Sequence, residues 1–246
     1  MTKKTFHWGI IGLGKIAHKF AQGIAVLENA SVYAVASRTP KKAKDFARQY
    51  NVEFYYNSYE DLMYCDGIDA IYIATPHVFH FENTMLCLRH KIAVLCEKPF
   101  AINNRQVQKM VATAKANNTF LMEALWTRFL PSIEKVLELI ANDVIGEVHT
   151  IKADFGFKAK FDPQNRVFNN ALGGGALLDI GIYPLFLALL IFGKPNNIQA
   201  SAKTGTTYVD ETCAMILDFP KNKIAILHAT IIADTPTEAF IYGSKG

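Results

Sequence analysis

The sequence predicts an α/β protein: an N-terminal Rossmann domain with a doubly wound parallel sheet, then an α+β domain with a mostly antiparallel, open sheet. Over the first half of the chain, short apolar runs alternate with segments of helical spacing, as in a parallel sheet covered by helices on both faces. Over the second half, four strand-like runs follow one another with few helices between them. We expect residues 1–123 to form a dinucleotide-binding domain and residues 124–246 a domain for substrate binding and dimerisation.

Six strands and five helices are predicted in the first domain. The strands are short apolar or aromatic runs, expected within residues 7–14, 30–37, 53–56, 69–75, 91–97 and 119–124. The helices between them are expected at residues 15–27, 40–50, 58–64, 79–90 and 103–118. Pro40 suits the first turn of the second helix, where a missing N–H is harmless.

The second domain is predicted to contain one sheet and a long apolar helix. Strands are expected at residues 147–159, 197–205, 210–219, 223–233 and 237–243, and helices at 131–143 and 173–193. Pro184 lacks a backbone N–H and predicts a kink just after Tyr183. Because only one long helix is available to cover the sheet, its other face is expected to bind a second copy in a homodimer.

Composition argues against several classes of protein. Half of the 246 residues are hydrophobic, and the net charge of +4 comes without a polybasic run, so no nucleic-acid partner is expected. The apolar run at residues 184–193 is too short to span a bilayer, and no signal peptide or membrane partner is expected. The four cysteines are far apart and contain no CxxC pair, which indicates reduced thiols in a cytoplasmic protein.

A glycine-rich turn after the first strand predicts a dinucleotide site. The segment from Gly12 to Ala17 fits G-x-G-x-x-A and includes Lys15 and Ile16. Gly12 permits a tight turn, Gly14 lets a pyrophosphate approach the backbone, and Ala17 allows the helix to pack closely on the strand. The motif alone is weak, but here it follows a strand and opens a helix, which favours a phosphate site over a glycine turn without ligand.

The end of the second strand indicates which cofactor is bound. An NAD site usually places an acid there, whereas this chain has Ser37, Arg38 and Thr39, and no acid occurs before Asp45. A guanidinium and two hydroxyls suit a 2′-phosphate, so NADP is predicted in preference to NAD. The alternative is an exposed basic loop without a ligand.

Two opposite charges interrupt an apolar strand at Glu97 and Lys98, and Pro99 follows. Ligands of an open parallel sheet bind beyond the carboxyl ends of its strands, where Lys98 is expected. Pro99 restricts how Lys98 is presented, and Glu97 is expected to fix the turn. A solvated charge pair at a strand end is the simpler alternative.

Together these motifs resemble the glucose–fructose oxidoreductase, inositol dehydrogenase and MocA family. The resemblance rests on the G-x-G-x-x-A turn, "ATPHVFH" at residues 74–80, "EKP" at 97–99 and "GGGALLDIGIY" at 173–183. The last motif and "LMEALWTRFLP" look closest to the dimeric dihydrodiol dehydrogenase and NADP-dependent D-xylose dehydrogenase branch. The resemblance implies a two-domain oxidoreductase that moves hydride between nicotinamide C4 and a carbon of a sugar or cyclic diol. Family members carry further strands after residue 246, so we expect the second domain to be incomplete.

Three residues are the catalytic candidates. Asp179 and Tyr183 are four residues apart, so one helical face presents both, and the family motif has Asp followed by His or Tyr at this spacing. Tyrosine is a weak base near neutrality, and a nearby ammonium would favour its phenolate, a role that we assign to Lys98. Asp179 would orient the lysine or a substrate hydroxyl. Taken singly, Tyr183 could equally be a packed aromatic and Asp179 an acid favoured by a helix N-terminus.

Other candidates have weaker support. Thr75, Pro76, His77 and His80 follow the fourth strand, where the ribose of the nicotinamide should bind. A lone histidine is more often a hydrogen-bonded structural group, and for His80 the two interpretations carry equal weight. The candidates for lining the substrate pocket are Trp126, Arg128, Phe129, Arg166 and Phe168. Core packing is the alternative for Trp126 and Phe129, and it has most weight for Phe129. No residues have metal-ligand spacing, so no metal is expected.

Two other functions remain open at this stage. One is a non-catalytic regulator that binds NADP(H) and docks a partner, although the presence of Lys98 and Tyr183 disfavours it. The other is a reductase of a non-sugar carbonyl, such as a tetrapyrrole or a keto acid.

Overall fold

The computed structural model describes residues 5–246 and divides the chain into two compact units, the first ending at Ala124 and the second beginning at Leu125. The sequence places this division one residue earlier. Each unit has its own hydrophobic core, with Ile10, Ile11 and Ile71 fully buried in the first and Ile151 and Leu227 buried in the second.

The first unit contains a six-stranded parallel sheet in the order β3-β2-β1-β4-β5-β6. Its strands are β1 (Phe6–Ile11), β2 (Ala30–Ala36), β3 (Phe54–Tyr56), β4 (Ala70–Ile73), β5 (Ala93–Cys96) and β6 (Leu121–Glu123). The chain order reverses at β1 and β4, which is where an open sheet of this kind forms its ligand crevice. The predicted doubly wound fold is therefore confirmed.

Five helices connect these strands. They are α1 (Lys15–Ile24), α2 (Pro40–Tyr50), α3 (Tyr59–Leu62), α4 (His80–Arg89) and α5 (Asn104–Ala116). The start of α2 carries Pro40, as predicted, and the side chains of Ser58 and Asn103 cap α3 and α5 by accepting from backbone N–H groups. Because all six strands are parallel, the loops after β1, β2, β4 and β5 lie along one edge of the sheet.

The second unit contains a five-stranded sheet in the order β11-β7-β10-β9-β8. Its strands are β7 (Val148–Gly156), β8 (Asn197–Thr204), β9 (Asp210–Phe219), β10 (Lys223–Thr230) and β11 (Ala239–Gly243). The pairing is antiparallel except that β10 runs parallel to β7, which confirms the predicted, mostly antiparallel sheet. The parallel pair forms because the chain leaves β7 for a helix before it returns through β8 and β9.

Two helices complete the second unit, α6 (Pro131–Ala141) and α7 (Ile182–Phe192). A wider π-helical turn, Leu177–Gly181, precedes α7. Pro184 cannot donate to the carbonyl of Ile180, and the widened turn falls at this position. The predicted disturbance next to Tyr183 is therefore a π turn that comes before the tyrosine.

The helical stretch Asn170–Phe192 is long and apolar enough to cross a bilayer by length and composition. It includes nearly all of the apolar run at residues 184–193, which by itself is too short to cross a bilayer. Ala176, Ile180, Leu187 and Ala188 from this stretch belong to the buried core of the second unit. The stretch is therefore accounted for as a core helix of this unit.

Candidate active site

The glycine turn after β1 forms an open cradle at the start of α1. Gly12 has a φ of +86°, and a Cβ there would lie 2.8 Å from backbone atoms of Ala74 and Thr75, so only glycine fits. Gly14 precedes α1, and nothing lies within 4 Å of the position that its Cβ would take. Ala17 is fully buried in the first-unit core. The N–H groups at the start of a helix, here beginning at Lys15, suit an anion such as a pyrophosphate.

Substitution by alanine should affect cofactor binding at Gly14 and stability at Gly12. Gly14→Ala should leave the melting temperature unchanged, because the Cβ enters open space, but should weaken cofactor binding by about tenfold or more if the pyrophosphate approaches this backbone. Gly12→Ala should lower stability by roughly 1–3 kcal/mol, because it adds a clash to a strained φ. Calorimetry of unfolding and fluorescence titration with NADPH test both. Unchanged NADPH affinity in Gly14→Ala would contradict this placement of the pyrophosphate.

The loop after β2 presents a cation held by aromatic rings. The guanidinium carbon of Arg38 lies 4.9 Å from the ring centroid of Phe79 and 5.9 Å from that of Tyr59. Ser37 is buried and its hydroxyl accepts the N–H of Thr39. Burial raises the pKa of Tyr59, and the positive charge of Arg38 opposes that rise. The guanidinium is thereby held in place at the sheet edge.

The loop after β4 is tied to the loop after β5 by a buried histidine. His80 is fully buried, its Nδ1 lies 2.7 Å from the carbonyl oxygen of Pro99, and its Nε2 lies 2.8 Å from that of Thr75. Asn83 donates to the Thr75 hydroxyl at 3.1 Å, and His77 is buried beside His80. Burial lowers the pKa of His80, although both backbone contacts oppose this. His80 therefore holds the loop after β4 and the loop after β5 together at this edge of the sheet.

Glu97 anchors the turn that carries Lys98, which agrees with the role expected for it. Its Oε1 accepts the hydroxyl of Tyr72 at 2.5 Å, and its Oε2 accepts the backbone N–H of Lys98 at 3.2 Å. Tyr72 is buried in β4, stacks on Phe20 of α1, and has its pKa raised by burial and then by the Glu97 carboxylate. The peptide bond between Lys98 and Pro99 is cis. The backbone of the Lys98 turn is thus bonded to a side chain that itself bonds a core tyrosine.

A second carboxylate, Glu123 at the end of β6, was missed in the sequence. Its Oε1 accepts the N–H of Phe100 at 2.8 Å. Burial raises the pKa of Glu123, the Phe100 bond and the charge of Lys98 oppose this, and Glu97 adds to it. The sequence did contain a signal for Glu123. Like Glu97, it is an acid at the end of an apolar strand, at the same edge of the sheet.

In the second unit, Tyr183 lies among aromatic rings. The indole Nε1 of Trp126 donates to the Tyr183 hydroxyl oxygen at 3.2 Å, and the ring of Phe155 lies 5.5 Å from that of Tyr183. Trp126 and Phe129 belong to a short 3₁₀ helix with Arg128 between them, and both rings are largely exposed, so neither is a core residue. Phe168, which was expected to approach the substrate, is instead 1% exposed and packs in the core of the second unit.

Asp179 pairs with Arg166, and the structure brings these two predicted residues together. Asp179 is only 2% exposed, and its Oδ1 accepts from Nη1 of Arg166 at 2.8 Å. The guanidinium of Arg166, which is about half exposed, lies against this buried carboxylate and partly offsets its loss of hydration. Arg166 is therefore held against Asp179, the residue for which an orienting role is expected.

The π-helical turn Leu177–Gly181, which contains Asp179 and precedes Tyr183, is capped by a residue of a distant strand. The carboxylate of Asp210, the first residue of β9, accepts the N–H of Leu177 at 2.6 Å and also bonds the N–H of Ala176. Burial raises the pKa of Asp210, and these backbone bonds oppose the rise. Local sequence carries no signal for this cap, because the acid lies 33 residues from its partner.

Among residues 5–246, no three His, Cys, Asp or Glu side chains are grouped so that they could hold a metal ion.

Two family models cover most of the chain. One described as "Oxidoreductase family, NAD-binding Rossmann fold" (GFO_IDH_MocA) matches residues 6–125, and one described as "GFO/IDH/MocA C-terminal domain" matches residues 133–246.

Similar curated proteins share one activity in their names. The chain is 40% identical over 243 residues to trans-1,2-dihydrobenzene-1,2-diol dehydrogenase of Danio rerio, covering 97% of this chain and 72% of that protein. It is 36% identical to the enzyme of the same name from Homo sapiens, with the same coverage. The chain thus spans nearly three quarters of the length of these relatives.

Similar solved structures include a ketoreductase and an aldose oxidoreductase. KijD10, a 3-ketoreductase from Actinomadura kijaniata solved with NADP and TDP-benzene, matches with a TM-score of 0.89 and 28% identity over 98% of this chain and 74% of that chain. Aldose-aldose oxidoreductase from Caulobacter crescentus, solved with glycerol, matches with a TM-score of 0.91 and 28% identity over 99% and 76%.

Proposed function

Because the chain belongs to the GFO/IDH/MocA family of oxidoreductases and is an NAD(P)-dependent dehydrogenase, we propose that it transfers hydride between C4 of the nicotinamide of NADP and the secondary alcohol or carbonyl carbon of a sugar or a trans-dihydrodiol. One observation carries the proposal. Lys98 follows β5 at the same edge of the parallel sheet where β1 opens into the Gly12–Gly14 cradle. The proposed cofactor site and the cation of Lys98 therefore belong to the same edge of the sheet.

The proposed chemistry assigns a task to each catalytic residue. In alcohol oxidation, the Tyr183 oxygen takes the hydroxyl proton as the carbonyl forms, and in carbonyl reduction it returns that proton to the carbonyl oxygen. The ammonium of Lys98 stabilises the phenolate, and Asp179 with Arg166 orients the substrate hydroxyl. When bound, NADP would supply the hydride acceptor at nicotinamide C4, and NADPH would supply the hydride donor. The pocket candidates Trp126, Arg128 and Phe129 complete the proposed set.

A substrate screen tests the proposal most broadly. Formation of NADPH should be followed with pentoses, hexoses and trans-dihydrodiols, and its consumption with the matching ketones and with keto acids. We expect turnover with a sugar or a diol, since the curated relatives are named diol dehydrogenases and one solved neighbour is an aldose-aldose oxidoreductase. NADPH binding without turnover of any compound would favour the regulator, and turnover of keto acids alone would favour the non-sugar reductase.

Cofactor choice is proposed to favour NADP through Arg38. Two observations support this preference: Arg38 lies against the rings of Phe79 and Tyr59, and residues 37–44 contain no acid. KijD10 was also solved with NADP. A guanidinium on a phosphate contributes roughly 1.5–3 kcal/mol, or about one to two decades of preference over NAD. Arg38→Ala should remove most of that preference in kcat/KM. Arg48→Ala, a loss of the same charge in the last turn of α2, should leave it unchanged. A wild type that uses NAD as well as NADP would contradict this assignment.

We also propose a homodimer formed through the exposed face of the second sheet. On this face Phe240, Ile226 and Ile216 lie in one cross-strand row with Lys152, and they are 51%, 43% and 39% exposed. Such a row is seldom left to water. Light scattering should report twice the monomer mass. Ile226→Glu should yield monomers, whereas the charge reversal Lys194→Glu, outside the sheet, should not. A wild-type monomer at all salt concentrations would contradict the proposal.

We place the protein in the cytoplasm, without nucleic acid or membrane as a partner. The cysteines Cys65, Cys87, Cys96 and Cys213 are all free, and the last three are buried. Burial raises the pKa of Cys213 to about 11 and also raises the pKa values of Cys87 and Cys96, which keeps these thiols protonated. Unpaired, unreactive thiols suit a reducing compartment.

A further inference from the structure

We propose that Trp126 is a positioning residue for proton transfer: its indole N–H donates to the oxygen of Tyr183 and stabilises that oxygen when it carries negative charge. The sequence predicts only that Trp126 lines a substrate pocket. The inference rests on the proposed function, in which Tyr183 is the proton-transfer group.

The hydrogen bond between Trp126 and Tyr183 can form in only one direction. An indole nitrogen is a donor and never an acceptor, so the Tyr183 oxygen accepts at the observed distance of 3.2 Å. The phenolic hydrogen must then point away from Trp126. In most tyrosine hydrogen bonds the hydroxyl can exchange the two roles, and here the partner removes that freedom.

The surrounding structure holds both rings in this relation. Trp126 lies in the 3₁₀ helix Trp126–Phe129, and its ring meets that of Tyr183 edge-on, with centroids 6.1 Å apart at an interplanar angle of 70°. Tyr183 is the second residue of α7. It is partly buried against the second-unit core and packs on Phe155. The hydrogen bond joins residues 57 apart in the chain, so both elements must fold before it can form.

The benefit of this hydrogen bond is greatest at one point in the reaction. In carbonyl reduction, hydride adds to the carbonyl carbon and the proton of Tyr183 passes to the carbonyl oxygen, which yields an alcohol and leaves a phenolate. In oxidation the same phenolate takes the proton back. A donor aimed at the phenolic oxygen stabilises the charged form more than the neutral one. Because Trp126 is 56% exposed, water competes for the site, and the effect should be moderate.

Trp126→Phe tests the inference, because it keeps an aromatic ring and removes the N–H. We expect kcat to fall by about five- to thirtyfold, in the range for a hydrogen bond to a charged group, while KM changes by less than about threefold. The decisive comparison is a double-mutant cycle with Tyr183→Phe. In the Tyr183→Phe background, Trp126→Phe should cause no further loss. The control Tyr208→Phe removes one polar hydrogen from an exposed aromatic residue of the same unit and should leave kcat unchanged.

Several outcomes would overturn the inference. Equal losses of kcat in both backgrounds would mean that Trp126 acts independently of Tyr183, and a raised KM with unchanged kcat would make it only a wall of the pocket. If Trp126→Phe does not fold, benzothienylalanine at position 126 keeps the bicyclic shape without the N–H, and the same criteria apply. Normal turnover of Tyr183→Phe would overturn the proposed function and this inference together. An impaired Tyr183→Phe beside a normal Trp126→Phe would overturn this inference alone.

Discussion

Tyr183→Phe should lower kcat by about two to four orders of magnitude while leaving the dissociation constant for NADPH nearly unchanged. The substitution removes the hydroxyl and little else, so it deletes the proposed proton donor and acceptor, and a positioned acid–base group contributes in this range. The ring contacts with Phe155 and Trp126 would remain, and the melting temperature should stay close to that of the wild type.

The measurements are steady-state turnover in both directions and fluorescence titration with NADPH. Tyr208→Phe is the matched control, since it removes a hydroxyl from an exposed ring of the same unit. Near-normal turnover of Tyr183→Phe on an accepted substrate would mean that the proton-transfer group lies elsewhere. His77 and Asp179 would then be the next candidates.

Lys98→Met should lower kcat by about two to three orders of magnitude, the range for loss of a group that stabilises developing charge. Methionine keeps much of the side-chain length and removes the ammonium. Because the phenolate loses a stabilising charge, the pH at which the rate of alcohol oxidation rises should move upward, and so should the pH at which carbonyl reduction declines. Rate profiles in both directions, measured across pH, test this.

The direction of that movement separates two roles for Lys98. If it only positions the substrate, its loss would reduce the rate without moving either profile. Lys91→Met is the matched control, because it removes the same charge from an exposed residue just before β5. A downward movement of the profiles in Lys98→Met would contradict the proposed electrostatic role.

The parts of the fold that depend on local pattern could be predicted from the sequence. Alternation of apolar strands with helices predicted the parallel sheet, and the positions of Gly12, Arg38 and Lys98 followed from the rule that ligands bind beyond the carboxyl ends of such strands. Glu97 was expected to fix the turn at Lys98, and it does accept the backbone N–H of Lys98. Its other partner, Tyr72, could not be predicted, because in the sequence it reads only as one apolar strand residue.

Features that depend on distant pairs could not be predicted from a single sequence. The Asp210 cap joins residues 33 apart, and the contact of Trp126 with Tyr183 joins residues 57 apart. Neither leaves a periodic signal. The parallel pairing of β7 with β10 is likewise set by the path of the whole second unit. Pro184 signalled a local disturbance, but its form as a π turn depends on packing against the core.

Transfer of deuterium tests the central claim most directly. The sugar or trans-dihydrodiol that turns over fastest should be deuterated at the carbon that bears the reacting hydroxyl and oxidised with NADP. If hydride passes straight to the cofactor, the NADPH formed should carry the deuterium at nicotinamide C4, and none should appear in water. Deuterium released to the solvent, or NADPH formed without it, would contradict direct hydride transfer by this protein.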